Sequence, residues 1–163
     1  MGYLNNTPDT RINWALKAKV TASSQKKEKM ITEKIETNQH NPRPDGGSEV
    51  LASRTFTYGP YNAVDGSNGT RWVACGEDKT PYLTLDLGKI LNIKQCEMAF
   101  THPALGHAWI LEKSLDENNW QVCGMQVEQV ARSPHIATEI GEARFLRIKI
   151  LKGNPGLWEF KVY

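Results

Sequence analysis

Short segments in which apolar and polar residues alternate dominate this chain. Residues 82–87 place three leucines on one face, and residues 145–150 place three aliphatic side chains on one face with basic residues opposite. A repeat of two is the period of a β-strand that is buried on one side. Residues 158–163 alternate again, and residues 109–112 and 120–123 predict a strand pair joined by turn residues. Several short strands separated by turns predict an all-β sandwich or barrel.

The stretch from Gln25 to Tyr58 interrupts this pattern. It is polar and carries a proline- and glycine-containing run at 38–47. Residues 26–36 are the best helical candidate, and their apolar stripe would consist of Met30, Ile31 and Ile35. We therefore expect a long surface loop with a helical turn. Connections of that length are more often functional or disordered than structurally idle.

Composition and charge narrow the classes of function. The 163 residues are enough for one compact domain, and no apolar run is long enough to span a membrane. Lys plus Arg number 20 against 18 Asp plus Glu, so the sequence does not predict the concentrated basic surface that nucleic acid requires. The cysteines, Cys75, Cys96 and Cys123, form no Cys-x-x-Cys motif, and a zinc site is not expected. Free thiols fit a reducing compartment and an exported bacterial protein equally well.

Six ordered segments resemble one known family. The most recognisable is Tyr61–Trp72, with Asp65-Gly66 at its centre, followed by Leu83–Gly88 and by Ser114–Trp120, where Glu117 stands in place of the usual glycine. The others are residues 13–24, 143–148 and 158–160. Together they resemble the factor V/VIII type C (discoidin-like) domain, and in particular bacterial carbohydrate-binding modules of family thirty-two.

The resemblance implies an eight-stranded jelly-roll β-sandwich, like galactose-binding domains, with a long insertion after the first strand. We expect an N-terminal extension at 1–12 and one domain at 13–163 that contains the 25–58 insertion. Such modules are often attached to glycoside hydrolases. Because the chain shows no secretory signal and ends in a strand-like pattern, we expect a domain excised from a larger protein. The resemblance implies that this larger protein is a secreted, periplasmic or cell-surface bacterial enzyme of the xylosidase, arabinosidase or galactosidase type, and we expect the domain to be monomeric.

A cation loop is the sharpest site prediction. Residues 65–70 combine one aspartate and two glycines with hydroxyl and amide side chains, a composition that suits calcium or a plain turn. The resemblance favours calcium, because similar domains hold a structural ion between this loop and a C-terminal glutamate. The implied ligands are the Asn62 carbonyl, the Asp65 side chain, the Ser67 carbonyl, the Thr70 carbonyl and hydroxyl, and Glu159.

No catalytic constellation is visible in the sequence. It contains no His-Glu-x-x-His, Gly-x-Ser-x-Gly or phosphate-binding glycine loop. Asp86 and Glu112 lie on separate predicted strands, and nothing links them as a glycosidase pair. We therefore expect a non-catalytic accessory domain, and rank an independent enzyme last.

Three loops are candidates for binding a plant or host glycan, since sugars need an aromatic face and hydrogen-bonding groups. They are residues 101–109, 71–79 and 153–158, and their candidate ligand-binding residues are His102, His107, Arg71, Glu77 and Asn154. The tryptophans 72, 109 and 120 are expected in the core, and Trp158 is assigned there with less support. An alternative is a docking domain whose insertion packs on the attached catalytic domain without binding sugar. A lipid-binding adhesion module is a third hypothesis, for which the insertion offers few apolar side chains.

Overall fold

The computed structural model describes residues 10–36 and 49–163. Within these ranges nine β-strands carry the fold: β1 (Lys19–Ala22), β2 (Lys29–Glu36), β3 (Glu49–Phe56), β4 (Trp72–Val73), β5 (Tyr82–Phe100), β6 (His107–Ser114), β7 (Gln121–Val130), β8 (His135–Lys152) and β9 (Gly156–Val162). The helices of the described ranges are three short 3-10 turns, Trp14–Lys17, Pro60–Ala63 and Pro103–Leu105. None of these has the length and apolarity that a membrane span requires.

Two long strands, β5 and β8, build both layers of the predicted β-sandwich. The main sheet has the order β4-β9-β5-β8-β6-β7, and β1 pairs with β5. The first part of β5 pairs with β1 and with the second part of β8, whereas its last part pairs with β9 and with the beginning of β8. Register shifts between Asp86 and Leu91 and between Ile93 and Gln95 mark where β5 bends from one layer into the other.

The core lies between the two layers and confirms the alternation in the sequence. Leu83, Leu85, Leu146 and Ile148 are fully buried, together with Trp72. These side chains come from both layers, so each layer supplies the apolar cover that the other needs.

Trp120 corrects the assignment of the tryptophans to the core. It is only partly buried, its indole N–H donates to the Glu117 carbonyl at 3.0 Å, and the Arg147 guanidinium carbon lies 3.9 Å from its ring centroid. Trp109 is buried as predicted. The hairpin turn therefore carries Trp120 onto the outside of the sheet, where a cation covers one face of the ring.

The prediction for the insertion is wrong in its type of structure. The residues expected to form a helical turn lie in β2, which pairs antiparallel with β3 from Lys29–Phe56 to Glu36–Glu49. The β-branched residues Ile31 and Thr32 favour a strand, and cross-strand pairing outweighs the weak helical spacing. β2 and β3 form a two-stranded sheet that is separate from the main sheet. The run at 38–47 lies outside the described residues.

Candidate functional site

The three loops predicted to bind a ligand meet at one end of the sandwich. The Thr101 N–H donates to the Gly156 carbonyl at 3.0 Å, and the Thr101 hydroxyl donates to Asn154 Oδ1 at 2.5 Å. The Ala74 N–H donates to the Pro155 carbonyl at 2.8 Å, which joins the loop after β4 to the same group. The predicted loops are therefore one contiguous surface.

Within this surface, His107 and Asn154 are engaged in internal contacts. His107 is fully buried, its ring stacks on Phe100 with centroids 4.5 Å apart, and its Nε2 lies 3.0 Å from the Asn154 carbonyl oxygen. His102 and Glu77 are exposed. In the described part of the chain, the side chains of His102 and Glu77 neither accept nor donate a hydrogen bond.

A second histidine joins His107 to form a buried aromatic cluster, which we call the histidine cluster: Phe100, His107, Trp109 and His135. The Trp109 indole N–H donates to His135 Nδ1 at 3.0 Å, which places the proton of the neutral imidazole on Nε2. Burial lowers the pKa of both histidines, and for His135 the neighbouring His107 lowers it further. The cluster therefore consists of neutral rings at neutral pH and acts as core.

The predicted cation loop folds around Asp65 and meets Glu159 of β9. The Ser67 N–H donates to Asp65 Oδ1 at 2.9 Å, and the Thr70 hydroxyl donates to the other oxygen of Asp65. The Gly66 N–H donates to Glu159 Oε1 at 3.1 Å. Gly66 has a φ of +75°, a conformation that favours glycine and that aims its N–H toward β9. Asp65, Thr70 and Glu159 therefore lie together in the fold.

Glu159 is the least satisfied polar side chain of this region. It is only 3% exposed, and its Oε2 has no hydrogen-bond partner in the described part of the chain. Burial first, and then the charge of Asp65, raises the pKa of Glu159 from 4.5 to about 7, against an opposing effect of the Gly66 N–H. Two close carboxylates with a free oxygen are a donor set that a hard divalent cation would satisfy.

The donor set contains two carboxylates, those of Asp65 and Glu159. No group of three or more His, Cys, Asp or Glu side chains in the described residues could hold a metal ion. A cation here would take the Asp65 and Glu159 side chains and depend on backbone carbonyls and a hydroxyl for its remaining ligands. The predicted set, with carbonyls from Asn62, Ser67 and Thr70, has that composition. The Asn62 side chain itself donates to the carbonyls of Thr57 and Arg71 at 2.8 and 3.1 Å.

Beside this loop lies an open groove of about 320 Å³, which we call the arginine groove; residues 55–58, 69–71 and Trp158 line it. The Arg71 guanidinium carbon lies 4.9 Å from the Trp158 ring centroid and 5.6 Å from that of Tyr58. Arg71 and Trp158 are both partly exposed, whereas Tyr58 is buried. The groove therefore presents a guanidinium between two aromatic rings.

Arg71 is a predicted binding residue, but its contacts with Tyr58 and Trp158 were not predicted from the sequence. Trp158 was assigned to the core and is partly exposed instead. The pairing of Trp72 with Leu157 turns both of these side chains inward. Their neighbours Arg71 and Trp158 then lie next to each other on the outer side of the sheet. The alternation of residues 157–160 was visible in the sequence, but the partner strand of β9 was not.

Comparison with known proteins identifies the family. The sequence profile of the F5/8 type C domain matches residues 19–160. The chain belongs to the F5/8 type C domain family. This F5/8 type C domain is a non-catalytic module with the discoidin-like β-sandwich fold, as the sequence predicted.

Several solved structures resemble this F5/8 type C domain. A protein described as a glycoside hydrolase is 37% identical with a TM-score of 0.71; the match covers 89% of this chain but only 30% of that one. The chain thus spans less than a third of that relative's length. Chitosan-binding module 1 of a chitosanase/glucanase from Paenibacillus sp. IK-5 is 20% identical, with a TM-score of 0.66 and coverage of 94% and 99%. Clostridium perfringens CpGH89CBM32-5, solved with GalNAc-β-1,3-galactose, is 20% identical, with a TM-score of 0.63 and coverage of 93% and 97%. No protein matches in the comparison with curated sequences.

Proposed function

We propose that this domain is a carbohydrate-binding module of a larger secreted glycoside hydrolase, and that the arginine groove is its sugar site. The observation that carries the proposal is the partly exposed contact of Arg71 with Trp158, 4.9 Å from guanidinium carbon to ring centroid. An aromatic face receives the apolar C–H side of a sugar ring, and a guanidinium supplies directed N–H donors for its oxygens. The neighbouring threonine hydroxyls of residues 55, 57 and 70 add further polar groups.

The relatives support the kind of parent protein. The 37% identical relative is described as a glycoside hydrolase of which the matching region is 30%, and chitosan-binding and Clostridium perfringens modules share the fold. A module of this kind raises the local concentration of its enzyme on a polysaccharide without taking part in the chemistry. We propose a bacterial parent of the xylosidase, arabinosidase or galactosidase type acting on plant or host glycans.

We also propose that the loop at 65–70 and Glu159 hold a structural calcium ion. The support is the free, buried Oε2 of Glu159 beside Asp65, since an ion there would neutralise two carboxylates that otherwise repel each other. Calcium bound only by the folded chain must raise its stability. Thermal unfolding with calcium and with chelator tests this, and an unchanged Tm in wild type at pH 7.5 would contradict it.

The sugar site is tested by a glycan array followed by titration calorimetry against galactose-, xylose- and arabinose-type sugars. Trp158→Ala should weaken binding at least about tenfold, because stacking on the ring is lost. Trp120→Ala is the matched control, because this tryptophan is also partly buried and lines a different groove. Binding that survives Trp158→Ala but is lost in His102→Ala would move the site to the loop end predicted from the sequence.

A second candidate function is docking on the attached catalytic domain through the β2–β3 hairpin. The hairpin forms its own two-stranded sheet, and it exposes 69% of Met30 and 40% of Phe56. An isolated two-stranded hairpin is marginally stable in water, so a covering partner would stabilise it. Hydrogen exchange of β2 in the isolated domain and in the full-length enzyme separates the two functions. Equal exchange in both would eliminate docking through the hairpin.

A further inference from the structure

The charge of Arg71 has no internal partner. Within the described residues its guanidinium forms no ion pair and donates no hydrogen bond, and its contacts are the two aromatic rings. Arg144 provides a comparison inside the same domain, because its Nε donates to Asp86 Oδ1 at 2.9 Å and its second nitrogen reaches the other oxygen at 3.2 Å. The fold therefore supplies a bidentate carboxylate to one arginine and leaves the corresponding donors of Arg71 available to a ligand.

The lining of the arginine groove contains no acidic residue. Residues 55–58, 69–71 and Trp158 are neutral apart from Arg71 itself. A second cation lies nearby, since the Lys26 ammonium is 5.3 Å from the Tyr58 ring centroid. Two acidic residues lie beside the groove: Asp65 accepts hydrogen bonds from Ser67 and Thr70, and the buried Glu159 accepts one from the Gly66 N–H. The groove therefore combines positive charge with an aromatic wall.

We infer that the arginine groove recognises a sugar that carries a carboxylate, that is, a uronic acid residue of an acidic glycan. This inference rests on the proposed sugar site and specifies its ligand. The planar guanidinium matches a carboxylate in a bidentate pair, while the Trp158 ring covers the apolar side of the same sugar. A neutral sugar would use the ring but leave the charge of Arg71 without a counter-ion.

The experiment compares matched oligosaccharides by titration calorimetry at low salt with the intact domain. Oligogalacturonate and its carboxyl-reduced, neutral counterpart differ at the carboxylate alone, and acetate and sulfate serve as anions without a sugar ring. We expect oligogalacturonate to bind about 10- to 100-fold more tightly than the neutral counterpart, with affinity that falls as salt is added. Acetate and sulfate should bind too weakly to compete at equal concentration.

Arg71 is tested with two variants and a control. Arg71→Gln should remove the preference for oligogalacturonate while keeping weak binding of the neutral oligosaccharide, and Arg71→Lys should keep the salt dependence but lose about tenfold in affinity because an ammonium cannot form the bidentate pair. Arg132→Gln is the control, since Arg132 is exposed and lines another cleft. The Tm of each variant should stay within a few degrees of wild type.

The possible failures are distinguishable. Equal affinity for the acidic and neutral oligosaccharides, lost in Trp158→Ala, would overturn the uronate inference and leave the sugar site standing. Sulfate competing as well as oligogalacturonate would also overturn it, because the groove would then be an anion site without sugar recognition. Binding of no sugar of either kind would overturn both the inference and the proposed function.

Discussion

Two aromatic clusters in this domain contain groups that can carry positive charge, and burial gives them opposite properties. In the histidine cluster, His107 stacks on Phe100 and His135 accepts from Trp109, and all four side chains are buried. In the arginine groove, Arg71 lies beside the partly exposed Trp158. Imidazoles lose their charge when buried, whereas a guanidinium cannot. The histidine cluster is therefore part of the core, although its residue types suggested a binding site. The positive charge that a ligand can reach is that of Arg71, in the arginine groove at the edge of the sheet.

The largest effect should come from removing a ring of the histidine cluster. His107→Ala deletes a fully buried ring, its stacking on Phe100 and its contact with the Asn154 carbonyl, so we expect a loss of about 3 kcal/mol in the free energy of unfolding. Urea denaturation measures this. His102→Ala, at an exposed position with a left-handed φ of +52°, should cost about 1 kcal/mol or less, because it loses no buried contact. Equal costs at both positions would show that the cluster is not core.

The next largest expected effect is a pH-dependent loss in the free energy of unfolding through Glu159, which lies beside the arginine groove. Its pKa is about 7 in the folded chain and 4.5 as the reference value, so between these pH values the folded state binds more protons than the unfolded state. The stability that this proton provides is complete below pH 4.5 and is lost as the pH rises through 7. Without calcium, wild type should lose about 3 kcal/mol over this interval relative to Glu159→Gln.

Repeating the same stability measurement with calcium tests whether an ion compensates the charge of Glu159. If the ion compensates the Glu159 charge, calcium should restore most of the lost stability above pH 7 in wild type and much less in Glu159→Gln. The comparison uses chemical denaturation at pH 4.5, 6 and 8 with calcium or chelator. A pH profile that is identical in wild type and Glu159→Gln under chelator would show that this carboxyl does not titrate in the interval.

The histidine cluster should respond to pH with the opposite sign. Burial lowers the pKa of His107 and His135 below the reference value of 6.5, so the unfolded chain takes up protons first as the pH falls. The stability they contribute is present above pH 6.5 and is lost as the pH falls through the folded pKa values. In the Glu159→Gln background this acid loss should appear without the opposing effect of Glu159. NMR titration of the two imidazoles checks it, and ordinary pKa values near 6.5 would contradict burial.

The smallest effect should come from the inner wall of the arginine groove. Tyr58→Leu keeps an apolar side chain but removes one of the two rings beside Arg71, a contact worth about 0.5–1 kcal/mol. Sugar affinity should fall about threefold, and Tm should fall by a few degrees because the ring of Tyr58 is buried. Calorimetry with the tightest sugar measures this. A loss as large as that of Trp158→Ala would mean that Tyr58 contacts the ligand directly.

The sequence predicted the strands well wherever one face of a strand is buried. The alternation around Leu83 and Leu85 and around Leu146 and Ile148 appears in the fold as fully buried side chains, because a two-residue period has one geometric solution against a core. The insertion has no such core face, and Met30 and Ile31 fitted a helical stripe as well as a strand. Pairing with β3 makes this segment a strand and not a helix, and neither segment alone predicts that pairing.

The candidate sites also differ in how far the sequence predicts them. The loop at Asp65 is formed by residues that are neighbours in sequence, and its contact with Glu159 was expected from the family resemblance. The arginine groove depends on three distant elements: the end of β3, the segment before β4, and β9. His107 was chosen for its chemistry, but its burial follows from stacking on Phe100, a contact that composition does not reveal.

The bend in β5 and β8 has a consequence for how this domain opens. Since each strand runs through both layers, neither layer can separate without breaking the hydrogen bonds of the other. The amides on either side of the bend, at Leu85 and at Met98, should therefore exchange with deuterium through one shared opening event and with similar protection. The hairpin of β2 and β3 shares none of these ladders and should exchange independently. The domain is then a single cooperative unit that carries a separately melting arm.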